Sequence, residues 1–151
     1  MRRLGPEDWQ LFRTVRLAAL KEAPYAFGSS WEGEKDRGDE AWRQAVSSRL
    51  RFVAVLDDHV IGMAAGGESN HTATASLTSL WVDPKARGQG VGDQLVTAVL
   101  EWAKAEGFRQ VVLWVTEGNS RAESLYRRNG FVRTGEVITE PLREFEMSVR
   151  V

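Results

Sequence analysis

Between residues 11 and 22 apolar side chains recur at helical spacing, with Leu11, Val15, Ala18 and Ala19 falling on one stripe, the period of a helix that buries one face. Pro6, Glu7 and Asp8 stand just before it. Proline suits a first helical turn, and acids are stabilised at the positive end of the helix dipole. The spacing predicts a helix from about Pro6 to Glu22. The stretch APYAFGSSWEGEKDRG, residues 23–38, loses the period and reads as irregular. A second helix is predicted from about Asp39 to Arg49, with Trp42, Val46 and Leu50 on one face.

From residue 51 the pattern changes. RFVAVL (51–56) and VIGMAA (60–65) flank the polar tip Asp57-Asp58-His59, which predicts a β-hairpin. GGESNHTATA, residues 66–75, reads as a loop leading into the strand SLTSLWV, residues 76–82. Val91, Leu95, Val99 and Ala103 then return to helical spacing until Gly107 stops the helix. VVLWVT, residues 111–116, is an unbroken apolar run, as expected of a strand covered on both faces. A short helix from about Ser120 to Asn129 and strands near FVRTGEV and EFEMSV complete the chain. The order is about ααβββαβαββ, with a scrap of strand at residues 1–4. That makes an α+β fold around one mixed sheet, read as a single domain over residues 1–151 without linker or repeat.

Composition narrows the chemistry. The hydrophobic fraction of 42% and charged fraction of 27% are those of a soluble globular protein. A net charge of -1 supplies no basic field for a phosphate backbone, so nucleic acid is not an expected partner. The absence of cysteine removes disulfides, thiolate nucleophiles and thiolate metal sites; it suits a reducing compartment, and the expected location is cytoplasmic. Met1-Arg2-Arg3 is followed by LGPEDWQLFR, acidic and polar where a signal sequence needs an apolar run, so no membrane partner is expected. His59 and His71 sit in polar segments without metal-ligand company, and no metal is expected.

The segment Arg87, Gly88, Gln89, Gly90, Val91, Gly92 separates the strand SLTSLWV from a helix. A strand, a glycine turn and a helix N-terminus together form an anion site, because unpaired N–H groups converge and the helix dipole adds positive potential. Bare glycines let phosphate oxygens approach that backbone. The dinucleotide pattern GxGxxG fails, since its third glycine falls on Asp93; the P-loop pattern fails because Asp93-Gln94 follow Gly92. What fits is RxxGxG after a V-x-P turn, which resembles the acetyl-coenzyme A pyrophosphate loop of the GNAT superfamily of N-acetyltransferases. Downstream, NSRAESLYRRNGF matches that superfamily's N-x-x-A-x-x-L-Y-x-x-x-G-F signature at Asn119, Ala122, Leu125, Tyr126, Gly130 and Phe131. The resemblance is specific over residues 51–150.

The resemblance implies a GNAT-like fold: a mostly antiparallel central sheet flanked by helices, its two central strands splayed to admit the pantetheine arm of acetyl-CoA. Backbone groups of Leu80, Trp81 and Val82 would pair with that arm. Amides from Gly88 through Gln89, Gly90 and Val91 to Gly92 would hold the pyrophosphate, with Arg87 adding charge or bracing the loop. Asn119 would hold the cofactor arm or the strand end; its other reading is a helix cap. The implied partner is a small-molecule or peptide amine acceptor, and a homodimer is compatible with the sequence. A non-catalytic acyl-CoA-binding module on the same fold is the alternative.

Amide formation from a thioester passes through an oxyanion and expels a thiolate, so the site needs an N–H donor and a proton source. Tyr126 suits the second task, because a phenol with a pKa near ~10 stays protonated at neutral pH. The amine must also lose a proton. Many members of the superfamily carry a glutamate on the strand before the phosphate loop, where this chain has Ser76, Thr78 and Ser79. Glu117, Glu32 and Glu34 are the candidate bases, each also readable as a solvated charge. Glu32, Glu34, Asp36, Asp39 and Glu40, with Tyr25, Phe27 and Trp31, would give the acceptor cleft an acidic, aromatic mouth suited to a cationic amine.

Overall fold

A computed structural model describes residues 1–24, 27 and 29–151; Tyr25, placed above in the acceptor wall, lies outside the described residues. Pro6–Asp8 form a single 3-10 turn, and Asp8 accepts the Gly5 N–H at 2.8 Å. The first helix, α1 (Trp9–Glu22), therefore starts one turn later than its apolar stripe suggested. A one-turn helix, α2 (Trp31–Glu34), stands in the segment read as irregular, and Ser30 caps it by accepting the Gly33 N–H at 3.0 Å. It is too short for periodicity to reveal. α3 (Asp39–Ser47) follows, then β2 (Leu50–Leu56), β3 (His59–Glu68) and β4 (Thr74–Val82). A two-residue strand, β1 (Arg2–Arg3), pairs with β2. After β4 come α4 (Val91–Ala105), β5 (Gln110–Thr116), α5 (Ser120–Arg128), β6 (Val132–Ile138) and β7 (Glu144–Arg150).

The hairpin forms as its turn chemistry requires: Asp57 and Asp58 have φ of 51° and 62°, and Leu56 pairs with His59. The expected loop over 66–75 is shorter than its composition suggested. Gly66 to Glu68 continue β3, and Thr74 and Ala75 already belong to β4. Glycine was the misleading signal. A Cβ on Gly66 would meet Trp102 and Val99 at 3.2 and 3.3 Å, and one on Gly67 would meet the Arg49 guanidinium at 3.1 Å. Both are bare because side chains cross them, not because the chain turns.

The seven strands lie in the order β1-β2-β3-β4-β5-β7-β6, antiparallel except for β4 and β5. Alternation along the strands sends Leu77, Val111, Leu113 and Met147 to one face, where α4 packs Leu95, Val96, Val99 and Ala103 against them. The opposite face of β2 to β4 receives α1 and α3 through Phe12, Val15, Trp42 and Val46, which meet Val53, Met63 and Trp81. This is the mixed, mostly antiparallel sheet between helices that the sequence predicted. Among the described residues, no helix is long and apolar enough to cross a membrane.

Candidate functional site

β4 and β5 are paired over three residues only, Thr74 with Gln110, Ala75 with Val111 and Ser76 with Val112. β4 then runs on to Val82 and β5 to Thr116, so the two central strands part. A bulge helps to turn β4 away. Met63 pairs with Trp81 but Ala65 pairs with Thr78, which leaves Ser79 and Leu80 opposite the single residue Ala64. Ser79 has φ of 55°, a conformation uncommon for a residue with a side chain and typical of functional sites. Beyond Ser76 the β5-facing edge of β4 has no strand to bond.

A cleft of about 900 Å³ opens at this parting. Leu80, Trp81 and Val82 line it, as do Arg87, Gly88, Gly90, Val91 and Gly92 from the loop and Asn119 from the start of α5. Ten residues were expected to touch the cofactor, and nine are brought together here. The tenth, Gln89, instead lines a second cleft of about 670 Å³ with Leu11, Val60 and Asp83.

Each glycine of the loop is bare for a definite reason. Gly88 and Gly90 have φ of 80° and 81°, and a Cβ on either would point into open space, so they serve the turn and expose the amides before α4. Gly92 has no such dihedral. A Cβ there would lie 3.0 Å from Leu125, so its bareness lets α5 close on the first turn of α4. Arg87 braces the loop: its Nε donates to the Val82 carbonyl at 3.1 Å, and its Nη2 pairs with both Glu22 oxygens at 3.1 and 3.2 Å. Trp81 directs its indole N–H to the same Glu22 at 2.8 Å and its ring into the α1 side of the core. Asn119 caps α5, accepting the Ala122 N–H at 3.3 Å.

Besides Arg87, the cleft holds two cations that the sequence did not single out. Arg121 and Arg128 line it from α5, and Asp93 stands on the first turn of α4, where an anion would meet it. Arg128 takes both Asp93 oxygens at 3.0 Å, and Asn129 donates to Asp93 at 3.0 Å. The Arg128 hydrogen bonds hold the Asp93 carboxyl below the usual carboxylate range. Its charge is thereby offset at the helix N-terminus. Arg121, by contrast, makes no ion pair with a carboxylate among the described residues.

Tyr126 is not among the residues that line the cleft: its neighbour Leu125 lines it, while Tyr126 itself is buried behind it. Its ring stands edge-on to Phe131 at 5.9 Å, and burial pushes the phenol up to about 12. It therefore stays protonated throughout the neutral range.

The proposed acids of the acceptor side fare differently. Glu117 is exposed and pairs with Arg143 at 3.4 Å. Glu32 is exposed. Glu34 is neither solvated nor free: it is 1% exposed and held by both Arg16 Nε and Nη2 at 3.1 Å, with Arg37 at 3.5 Å. Burial raises the Glu34 carboxyl, but hydrogen bonds from Arg16 and Ser29 and the charges of Arg16 and Arg37 outweigh it and leave the group lowered. A carboxylate so held is a poor proton acceptor. Phe27 and Trp31 are engaged by cations of the chain itself, Arg16 at 5.0 Å and Lys35 at 4.7 Å from their ring centroids. His59 and His71 are exposed, and no group of three metal-ligating side chains occurs among the described residues.

Comparison with known proteins places these features. A family model described as "Acetyltransferase (GNAT) family" matches residues 14–131. Mycothiol acetyltransferase of Geodermatophilus obscurus is 35% identical over 123 residues, which is 79% of this chain and 40% of that protein. The chain thus spans less than half the length of this curated relative. An acetyltransferase of the GNAT family from Streptococcus pneumoniae superposes with a TM-score of 0.81 at 19% identity, covering 99% of this chain and 98% of that one. The protein yncA from Salmonella typhimurium, solved with its cofactor acetyl-CoA, superposes with a TM-score of 0.77 at 18% identity, covering 99% and 91%. Both share this fold.

The Glu34 pair generates a stability prediction. A carboxyl held below its ordinary value stabilises the fold at pH above that value and loses the contribution as pH falls through the folded-state pKa. Glu34→Gln leaves Arg16 without its partner and is expected to cost about 3–5 kcal/mol at pH 7. Urea unfolding of both proteins should show that difference shrinking below about pH 4.5. A difference unchanged from neutral to acid pH would contradict the pairing.

Proposed function

The chain belongs to the acetyltransferase (GNAT) family, and on that premise we propose that it transfers an acetyl group from acetyl-CoA to a primary amine by direct attack in a ternary complex. The observation that carries the reading is the parting of β4 and β5 into a cleft that ends on the glycine loop. The free edge of β4 at Leu80 to Val82 offers an extended arm the hydrogen bonds of a missing strand. The Gly88–Gly92 amides and the α4 dipole suit a pyrophosphate, and Arg121 and Arg128 supply positive charge along the same wall. The bound acetyl-CoA of yncA supports the assignment of donor.

In the reaction the amine nitrogen attacks the thioester carbonyl and forms the C–N bond. The carbonyl oxygen takes negative charge, and a backbone N–H of the Leu80–Val82 stretch, just after the bulge, stabilises it. As the C–S bond breaks, Tyr126 gives its proton to the departing sulfur. The proton lost by the amine leaves to solvent, from which Tyr126 is reprotonated. Burial keeps the phenol neutral, so the donor form is present at neutral pH; the same shift makes it a weaker acid, and the proton moves only as negative charge builds on the sulfur. The α5 helix fixes Tyr126 through Asn119 at its N-terminus and through the Phe131 contact just beyond its end.

Two substitutions test this. Gly90→Val would put a β-branched side chain where φ is 81° and in the direction of the open cleft. Calorimetry should show acetyl-CoA binding weakened by at least about tenfold beyond any loss of folded protein, equivalent to about 1.4 kcal/mol. Unchanged affinity in the folded variant would reduce the loop to a connector. Tyr126→Phe keeps the ring and removes the hydroxyl. General-acid roles are typically worth about 10²- to 10⁴-fold, and with water replacing part of that, turnover measured as thiol release should fall at least about tenfold while acetyl-CoA affinity holds. Equal turnover would refute the acid role, and no turnover by the wild-type protein with any amine would favour a binding module.

A further inference from the structure

The face of the sheet opposite α4 carries a second organised group of charges, and its sign is the reverse of the acidic mouth expected from the sequence. In register, Arg51 on β2 pairs with Ala65 on β3, which pairs with Thr78 on β4; the next row on this face holds Gly67 and Ser76. Arg49 lies across Gly67, where a Cβ would come 3.1 Å from its Nη1 and 3.7 Å from its Cγ. That route lets Nη1 donate to the Ser76 hydroxyl at 3.2 Å and the Thr78 hydroxyl at 3.4 Å. Arg16 reaches the same strand from α1, donating from Nη1 to the Ser79 hydroxyl at 3.2 Å.

Two arginines, Arg49 and Arg16, thus converge on Ser76, Thr78 and Ser79, where β4 leaves β5, and Arg51 stands in the Thr78 row two strands away. Among the described residues the carboxylate paired with this group is Glu34, which is taken by Arg16 and Arg37. Arg51 donates to the Ala45 carbonyl at 3.1 Å and stacks on Phe12 at 4.5 Å, and its buried Nε has no partner. Burial, and then the charges of Arg16 and Arg49, pull the Arg51 guanidinium down to about 10, which leaves it cationic at neutral pH. Arg49 is exposed and is satisfied here by neutral hydroxyls alone. A guanidinium presents a planar fork of donors matched to a carboxylate.

Resting on the acetyltransfer reading, we propose that the acceptor is a small primary amine bearing a carboxylate, of the amino-acid class, whose carboxylate is held by Arg49 in the positive field of Arg16 and Arg51. The span fits one small molecule. Thr78 and Leu80 flank the bulged Ser79, so they are separated by less than the roughly 7 Å of two extended residues, and the amine and the carboxylate stand a few bonds apart. Diamines and polyamines, which carry only positive charge, are repelled from this face.

The test pairs amino acids with the amines left by their decarboxylation and measures binding to the CoA-saturated protein by calorimetry, alongside thiol release with acetyl-CoA. At least one amino acid should bind and react, by kcat/KM, tenfold or more better than its decarboxylated counterpart. Arg49→Ala should weaken that amino acid about tenfold to a hundredfold, the worth of a charged hydrogen-bonded contact, through KM, while leaving the decarboxylated amine and acetyl-CoA affinity unchanged. Arg49→Glu should reverse the preference. The proposal is overturned if no amino acid binds better than its amine, or if Arg49→Ala weakens both members alike or neither. Turnover that favours the decarboxylated amines would sink this inference and leave acetyl transfer standing. Carboxylate-selective binding without turnover would do the opposite.

Discussion

Three paired residues, Thr74 to Ser76 against Gln110 to Val112, hold the two central strands together, and what lies beyond them shapes the site. A sheet that continued its ladder from Ser76 to Val82 would have no cleft, and its β4 edge would already be satisfied. The parting is maintained from both sides. On β4 the Ser79–Leu80 bulge redirects the strand at the cost of a left-handed residue. On β5 the continuous ladder with β7, from Gln110–Arg150 to Thr116–Glu144, keeps the strand with the second half of the sheet. The Gly92–Leu125 contact then sets how closely α5 approaches α4, and with it the width of the opening.

Charge follows the same geometry. Acids beside the opening are taken by cations of the chain: Glu22 by Arg87, Asp93 by Arg128 and Glu34 by Arg16 and Arg37. What this leaves toward solvent is positive, Arg121 on the α5 side and Arg49 on the α1 side. A chain with a net charge of -1 thus presents positive charge on both sides of its central gap. Bulk charge conceals this, because pairing rather than counting decides which charges a ligand meets.

The fold and the cleft proposed for the donor were legible because their signals are local. RGQGVG and NSRAESLYRRNGF place backbone conformation, caps and packing residues within a few positions of one another, and the structure uses them as such. The arginine face proposed for the acceptor was not legible, because it is built from contacts between residues far apart in sequence. Arg49 reaches Ser76 and Thr78, Arg16 reaches Ser79, and Glu34 meets Arg16 across 18 positions. Of the acidic run, Glu34 is drawn inside and paired with Arg16 and Arg37, while Glu32, Asp36, Asp39 and Glu40 stay exposed. Gly66 and Gly67 misled for a related reason, since the side chains that cross them come from other elements. Nothing in the local sequence marks the Ser79 bulge.

We propose that the unpaired edge of β4 and the glycine loop are one binding surface for an extended thioester arm and its pyrophosphate. Amide hydrogen exchange with and without acetyl-CoA tests it directly. Binding should slow exchange at Leu80 to Val82 and at Gly88 to Gly92 together, with little change in β2. Protection confined to the second cleft, around Leu56 to Ile61, or absent from the β4 edge while the loop is protected, would contradict it.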